Sequence, residues 1–179
     1  MSAADPHLPT TRSVHEWVEE LFKAHVDGVY NVAFRVTWNR SDADDVVQAT
    51  FVKAFQRLDQ LSDRTKARSW LFQVAYREAI TVIRRRRELP TDPVDLPTES
   101  SSLPDPADSA VASAIATKLS EALQRIGPDE RLAVVLRDVE GLPMREVAEV
   151  LDIGLSAAKM RVQRGRQSLR VLLEKSEIW

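Results

Sequence analysis

In the stretch Leu155 to Leu173, which reads LSAAKMRVQRGRQSLRVLL, cations recur along both edges of one apolar stripe. Ala158, Val162, Gly165, Leu169 and Leu172 fall three or four residues apart, the spacing of a helix face that packs inward. Lys159, Gln163, Arg166 and Arg170 line one flank of that stripe, and Arg161 and Arg164 the other. The chemistry this serves is ionic and directional: cations meet phosphates while the helix between them is offered to base edges. Nothing along the chain points to bond-making chemistry. There is no phosphate-cradling glycine loop and no nucleophile beside a base.

The elements around this helix must hold it. Met144 to Leu173 reads as a short apolar helix, a turn and then this long helix with basic flanks, a helix-turn-helix whose second helix suits the major groove. A solvated basic helix closing a bundle is the bland alternative. Upstream, Gly127-Pro128 restarts a helix with proline at its first position, and Leu132, Val135, Leu136 and Val139 are expected inward. Gly141 stops that helix, and a further one spans roughly Ala110 to Arg125. Together these form a C-terminal module over 110–175.

A second basic concentration lies in an N-terminal module over 14–87. Residues 64–87 hold eight Lys or Arg against the single acid Glu78, and residues 155–175 hold six against Glu174. The clearest N-terminal helix is expected to start at Ser41 as N-cap, with Asp42, Asp44 and Asp45 in its first turn. Ala43, Val46, Val47, Thr50, Phe51, Ala54, Phe55 and Leu58 then keep a core-facing rhythm. The opposite face shows Asp45, Gln48, Val52 and Lys53, and an exposed valine among polar residues hints at a protein partner. A second helix is expected over 67–87, with Trp70, Leu71, Val74, Ala75 and Ile83 inward. It ends in Arg84-Arg85-Arg86-Arg87, more cation than a helix dipole needs and suited to backbone phosphates. The polar loop Leu61 to Arg68 carries Arg64, Lys66 and Arg68, a type of loop that can capture single-stranded bases.

Between the modules, residues 88–109 hold Pro90, Pro93, Pro97, Pro104 and Pro106 and no base, the composition of a flexible acidic linker. With five glycines, 6% aromatics and no alternating β-branched runs, the fold is expected to be all-α, two small helical domains on one linker. The absence of cysteine excludes disulfides and thiolate zinc sites, and His7, His15 and His25 lack ligand spacing, so no metal or cofactor is expected. No apolar run reaches the roughly 20 residues of a membrane span, and no signal-peptide core opens the chain. A cytoplasmic location without membrane insertion follows as an expectation.

Taken together, three stretches resemble an extracytoplasmic function (ECF) RNA polymerase sigma factor. SDADDVVQATFVKAFQRL is similar to the conserved helix of region 2. WLFQVAYREAITVIRRRR is similar to the promoter-reading helix after it. LQRIGPDERLAVVLRDVEGLPMREVAEVLDIGLSAAKMRVQRGRQSLR is similar to region 4. The resemblance implies an alternative sigma factor that binds bacterial core RNA polymerase and directs promoter recognition, DNA melting and initiation. Asp44, Asp45, Gln48 and Val52 then correspond to the surface that docks on the β′ clamp helices. Leu61, Ser62, Asp63, Arg64, Lys66 and Arg68 fall where flipped −10 bases are captured, beside Trp70, Arg77 and Arg84 to Arg87. Ala157, Lys159, Met160, Arg161, Arg164 and Arg166 fall on the −35 recognition helix. The helix around Leu132 to Val139 lies near the surface that meets the β flap. An anti-sigma factor is the further partner implied.

The chain departs from the family pattern at Tyr76, Arg77 and Thr81, at Ala157, Ala158 and Met160, and at Asp152, which takes the place of a turn glycine. Aspartate tolerates a left-handed backbone better than most residues. The small alanines suit thymine methyls and Arg161 a guanine edge. Two rival readings predict other behaviour: a helix-turn-helix regulator that binds duplex DNA without joining polymerase, and a helical adaptor that binds only proteins.

Overall fold

A computed structural model describes residues 11–57, 61, 63–88 and 110–175, all the regular structure of which is helical. By backbone proximity the chain divides into two compact units, with the boundary between Val82 and Ile83. The Pro-rich linker expected over 88–109 lies outside the described residues apart from Glu88, as does Leu58.

The first unit is built from α1 (Thr11–Thr37), α2 (Arg40–Gln56), a single 3-10 turn (Arg64–Lys66) and the greater part of α3 (Ala67–Glu88), whose last residues run past the boundary. Helix α1 adds a long element to those expected from the sequence. Its Leu21, Val29, Val32 and Ala33 are buried against α2, and the repeat Leu21, His25, Val29, Val32 is the signal that marks it. Helix α1 stops because Trp38 takes a left-handed backbone (φ 50°) and its N–H bonds back to the Phe34 carbonyl at 2.8 Å. A bulky side chain rarely adopts that conformation. Here it is held by an edge-on Phe34 ring at 5.4 Å and by the buried Arg35 guanidinium, 5.3 Å over the indole.

The expected N-cap at Ser41 is corrected to Asn39. Its side-chain oxygen accepts from the Asp42 N–H at 2.9 Å and its carbonyl from the Ala43 N–H at 3.0 Å. Both residues are good caps; the tight corner at Trp38 brings Asn39, with its extended backbone, to the capping position first. On α2, Ala43, Val46, Thr50, Phe51 and Ala54 are buried as expected, but Phe55 is 41% exposed. Helix α3 buries Leu71, Phe72, Ala75 and Ala79, whereas Trp70, Val74 and Ile83 are half-buried. Glu78 of α3 accepts a hydrogen bond from Lys53 of α2.

The second unit contains α4 (Ala110–Arg125), α5 (Pro128–Val134) running into a π-helical turn (Val135–Val139), α6 (Met144–Leu151) and α7 (Leu155–Glu174). Arg131 is buried and caps α4 from outside: its guanidinium donates to the carbonyls of Leu123 (2.7 Å), Gln124 (3.0 Å) and Ile126 (3.0 Å). It satisfies three carbonyls that the end of α4 leaves without intrahelical donors and sets a cation on the negative end of the helix dipole. Leu132, Val135 and Leu136 are buried as expected, whereas Val139 is 59% exposed. The cause is the π turn, in which Glu140 N–H reaches the Val135 carbonyl five residues back. One extra residue in that turn rotates Val139 outward and carries Glu140 inward. Gly141, at φ 69°, then ends the element.

Candidate nucleic-acid interface

The turn between α6 and α7 sets the second helix of the motif. Asp152 sits in the left-handed region (φ 54°, ψ 48°), the Asp152 N–H bonds to the Glu149 carbonyl (3.2 Å), and the Ile153 N–H bonds to the Ala148 carbonyl (3.0 Å). These two bonds make a Schellman end, usually completed by glycine. Aspartate supplies it here, as the sequence suggested. Gly154 then leads directly into α7.

Helix α7 buries Ala158, Val162, Gly165 and Leu169, the stripe read from its spacing. Gly165 permits the close approach of α5. A Cβ there would lie 2.6 Å from Val134 Cγ2 and 2.8 Å from the Glu130 carbonyl oxygen. Because the first turn of α5 comes so near, its acids reach the cations of α7. Arg161 pairs with Asp129 at 3.1 Å and is 24% exposed; Arg164, 59% exposed, lies 3.6 Å from Glu130. On the other flank Arg166 donates to Asp138 at 2.9 Å, which raises its pKa further, and Arg170 donates to Glu174 at 2.7 Å. Ala157, Lys159 and Met160 stand exposed, and no ion pair of the described residues involves Lys159. The six residues expected to face the −35 element therefore share one helix. Three of them, Arg161, Arg164 and Arg166, are held to acids of the same unit.

In the first unit, Asp63 caps the 3-10 turn. Its carboxylate accepts from the Thr65 hydroxyl (2.7 Å) and the Thr65 N–H (2.9 Å), and these bonds hold it below the ordinary carboxylate range. Asp63 and Lys66 are exposed and Leu61 half-buried; Ser62 and the side chain of Arg64 lie outside the described residues. Arg68 stacks over the Phe72 ring at 5.3 Å, which turns its guanidinium toward the body of the unit. Trp70 is half-buried, and Arg77, Arg84, Arg85 and Arg86 are exposed along α3, with Arg84 3.8 Å from Glu88. The side chain of Arg87 is outside the described residues.

On α2, Asp44, Asp45, Gln48 and Val52 are all exposed, and Asp44, Gln48 and Val52 border a shallow apolar groove that the sequence did not reveal. Phe22 of α1 (44% exposed), Val52 (49%) and Phe55 (41%) line it, with the Phe22 ring 4.8 Å from that of Phe51. Phe55 thus departs from the core position that its spacing predicts. Recognising the face requires knowing that α1 pairs with α2.

Two family models match the chain, one described as Sigma-70 region 2 over residues 21–88 and the other as Sigma-70, region 4 over residues 116–169. Among curated proteins, the ECF RNA polymerase sigma factor SigE of Mycolicibacterium smegmatis is 34% identical over 162 residues, covering 88% of this chain; the chain spans 62% of that relative's length. The RNA polymerase sigma factor CarQ of Myxococcus xanthus is 32% identical, with 89% of this chain and 91% of that protein covered. Among solved structures, the sigma factor RpoE in complex with the anti-sigma factor NepR from Bartonella quintana matches with a TM-score of 0.71 at 22% identity, covering 87% of this chain and 96% of that one. CnrH, solved with the cytosolic domain of CnrY, matches with a TM-score of 0.64 at 23% identity over 93% and 90% of the two chains. These structural likenesses bear on the fold. Region 2 on the first unit and region 4 on the second, in that order, with a relative matched over nine-tenths of its length, make this chain a member of the ECF family of RNA polymerase sigma factors.

Proposed function

We propose that this chain is an alternative sigma factor that binds bacterial core RNA polymerase and gives it promoter preference, acting by binding alone and without catalysis. The observation that carries the reading is the pairing, on one chain, of an exposed apolar face on α1–α2, edged by Asp44 and Gln48, with a helix-turn-helix edged by cations. A duplex-only regulator needs the second and leaves the first without a task. Region 2 (14–87) would dock through Asp44, Asp45, Gln48 and Val52, extended by Phe22 and Phe55, on the β′ clamp helices. Its loop from Leu61 and the α3 cations would hold an opened −10 strand, where stabilising each flipped base offsets a few kcal/mol of unstacking. Region 4 (110–175) would anchor the upstream duplex through α7 and lie near the β flap, with 88–109 as the linker. The partners of structural relatives suggest an anti-sigma factor for this chain too, and none of its described helices is long and apolar enough to cross a membrane, in keeping with a cytoplasmic site of action.

The test is binding of the purified chain to bacterial core RNA polymerase, beside an Asp45→Arg, Gln48→Ala variant. Sub-micromolar binding weakened tenfold or more by the variant supports the reading. A folded chain that ignores polymerase yet binds duplex DNA would replace it with the duplex-only regulator.

A further inference from the structure

The second unit carries an apolar groove that the packing of its helices leaves open. Its volume is about 670 Å³, and Leu119 and Leu123 of α4, Val134 of α5, Leu169 and Leu173 of α7 and Val139 line it. Val139 is 59% exposed there because the π turn directs it away from the core. The ion pairs Arg166–Asp138 and Arg170–Glu174 edge the groove, so its charged groups are already matched within the unit. An occupant need bring no charge; what the lining favours is large apolar side chains.

We propose that this groove is covered by the chain's own Ile178 and Trp179, which lie outside the described residues. Glu174 both lines the groove and ends α7, so the chain leaves the helix at the groove's edge. The sequence then runs Lys175-Ser176-Glu177-Ile178-Trp179, a polar connection followed by two large apolar side chains. Reach is sufficient. The extended chain from Glu174 to Ile178 spans about 13 Å. Returning along α7 from Glu174 to the level of Leu169 takes only about 7.5 Å. The difference leaves room for the chain to reverse at Ser176 and Glu177. An indole covers a large apolar area while ordering only two side-chain torsions. So short a connection holds the pair at an effective concentration in the millimolar range. An apolar helix offered by another protein therefore has to displace Ile178 and Trp179 before it can settle in the groove.

The test is fluorine NMR of the full chain labelled with 5-fluorotryptophan, the Trp179 resonance being assigned by Trp179→Phe. The other three tryptophans, Trp17, Trp38 and Trp70, belong to the first unit and serve as controls. The Trp179 resonance is expected away from the position of free fluorotryptophan and unchanged on tenfold dilution. Val139→Asp, on a side chain too exposed to hold the fold, should return it to the free position while the control resonances and the far-ultraviolet circular dichroism stay as they were. A second measurement uses the dye 8-anilinonaphthalene-1-sulfonate. Ile178→Ser with Trp179→Ser should raise its emission severalfold by uncovering the groove, and adding Val139→Asp should cancel the rise. A Trp179 resonance at the free position in the unsubstituted chain, or one that ignores Val139→Asp, overturns the proposal. So does dye emission that the serine substitutions leave unchanged. A displacement lost on dilution overturns it in favour of a second copy's Ile178 and Trp179 as the occupant. Neither measurement involves polymerase, so failure here leaves the sigma reading standing.

Discussion

Gly165→Ala is the substitution on which two opposing effects can be weighed most directly. Alanine in a helix interior gains about 1 kcal/mol over glycine from backbone entropy and propensity. Against that, the new Cβ would stand 2.6 Å from Val134 Cγ2 and 2.8 Å from the Glu130 carbonyl, where ordinary contact begins near 3.4 Å. Neither neighbour can simply swing away, because one is backbone and the other is a side chain in the buried core of α5. Helix α5 must retreat by the better part of an ångström, and overpacking of this kind costs about 1–3 kcal/mol. The steric term wins, leaving a net loss of about 1 kcal/mol and up to about 2. For a unit of this size that lowers the melting midpoint by about 4–8 °C per kcal/mol. Differential scanning calorimetry of the full chain would measure it, with Gly154→Ser as the control. A Cβ at Gly154 meets nothing within 4 Å, and serine is a good N-cap, so that variant should match or slightly exceed the parent. A Gly165→Ala protein that melts at the parent temperature or above refutes the reasoning.

Two further outcomes concern stability. The imidazole of His25, half-buried in α1, has its pKa lowered first by burial and then by the nearby Arg68 charge. The unfolded chain therefore takes up a proton near 6.5 while the folded one resists, so this contribution to stability is complete above about pH 6.5 and is lost as pH falls toward the depressed value. Urea unfolding followed by tryptophan fluorescence should show a decline from pH 7.5 to 5.5 that His25→Asn flattens; equal slopes in both proteins would dispose of this account. Asp152→Gly should stabilise the second unit by about 0.5–1 kcal/mol, since glycine takes the left-handed backbone without strain. A loss instead would mean that the Asp152 carboxylate makes a contact of its own worth more than the strain.

Much of the second unit was legible because its signals are local. Proline at the start of α5, glycine at its end and the stripe of α7 each depend on a few neighbouring residues, and the Asp152 turn could be inferred from what aspartate tolerates. Val139 was misplaced because a period of 3.6 assumes an unbroken α-helix, and the π turn slips the phase by one residue. Phe55 was misplaced for a different reason. It lies at the edge of the apolar arc of α2, and burial there depends on how much of that arc the neighbouring helices cover. The functional surfaces divide in the same way. The cations of α7 could be listed from spacing, but their pairing with Asp129, Glu130 and Asp138 comes from residues 28 to 34 positions away in the chain, brought near by the glycine at 165.

The arginine–carboxylate pairs of the second unit also bear on how promoter binding would respond to salt. DNA gives up condensed counterions in proportion to the phosphates a protein newly neutralises. Arg161, Arg164, Arg166 and Arg170 already face carboxylates within 3.6 Å, so an arginine that turns to phosphate leaves an acid to be neutralised in its place. On the proposed function, the net number of ions released by this unit is small, its binding to duplex is weak, and its dependence on salt is shallow. Occupancy of a promoter then has to arise from avidity: two weak modules carried on one polymerase raise each other's effective concentration, so the isolated subunit would seldom linger on DNA.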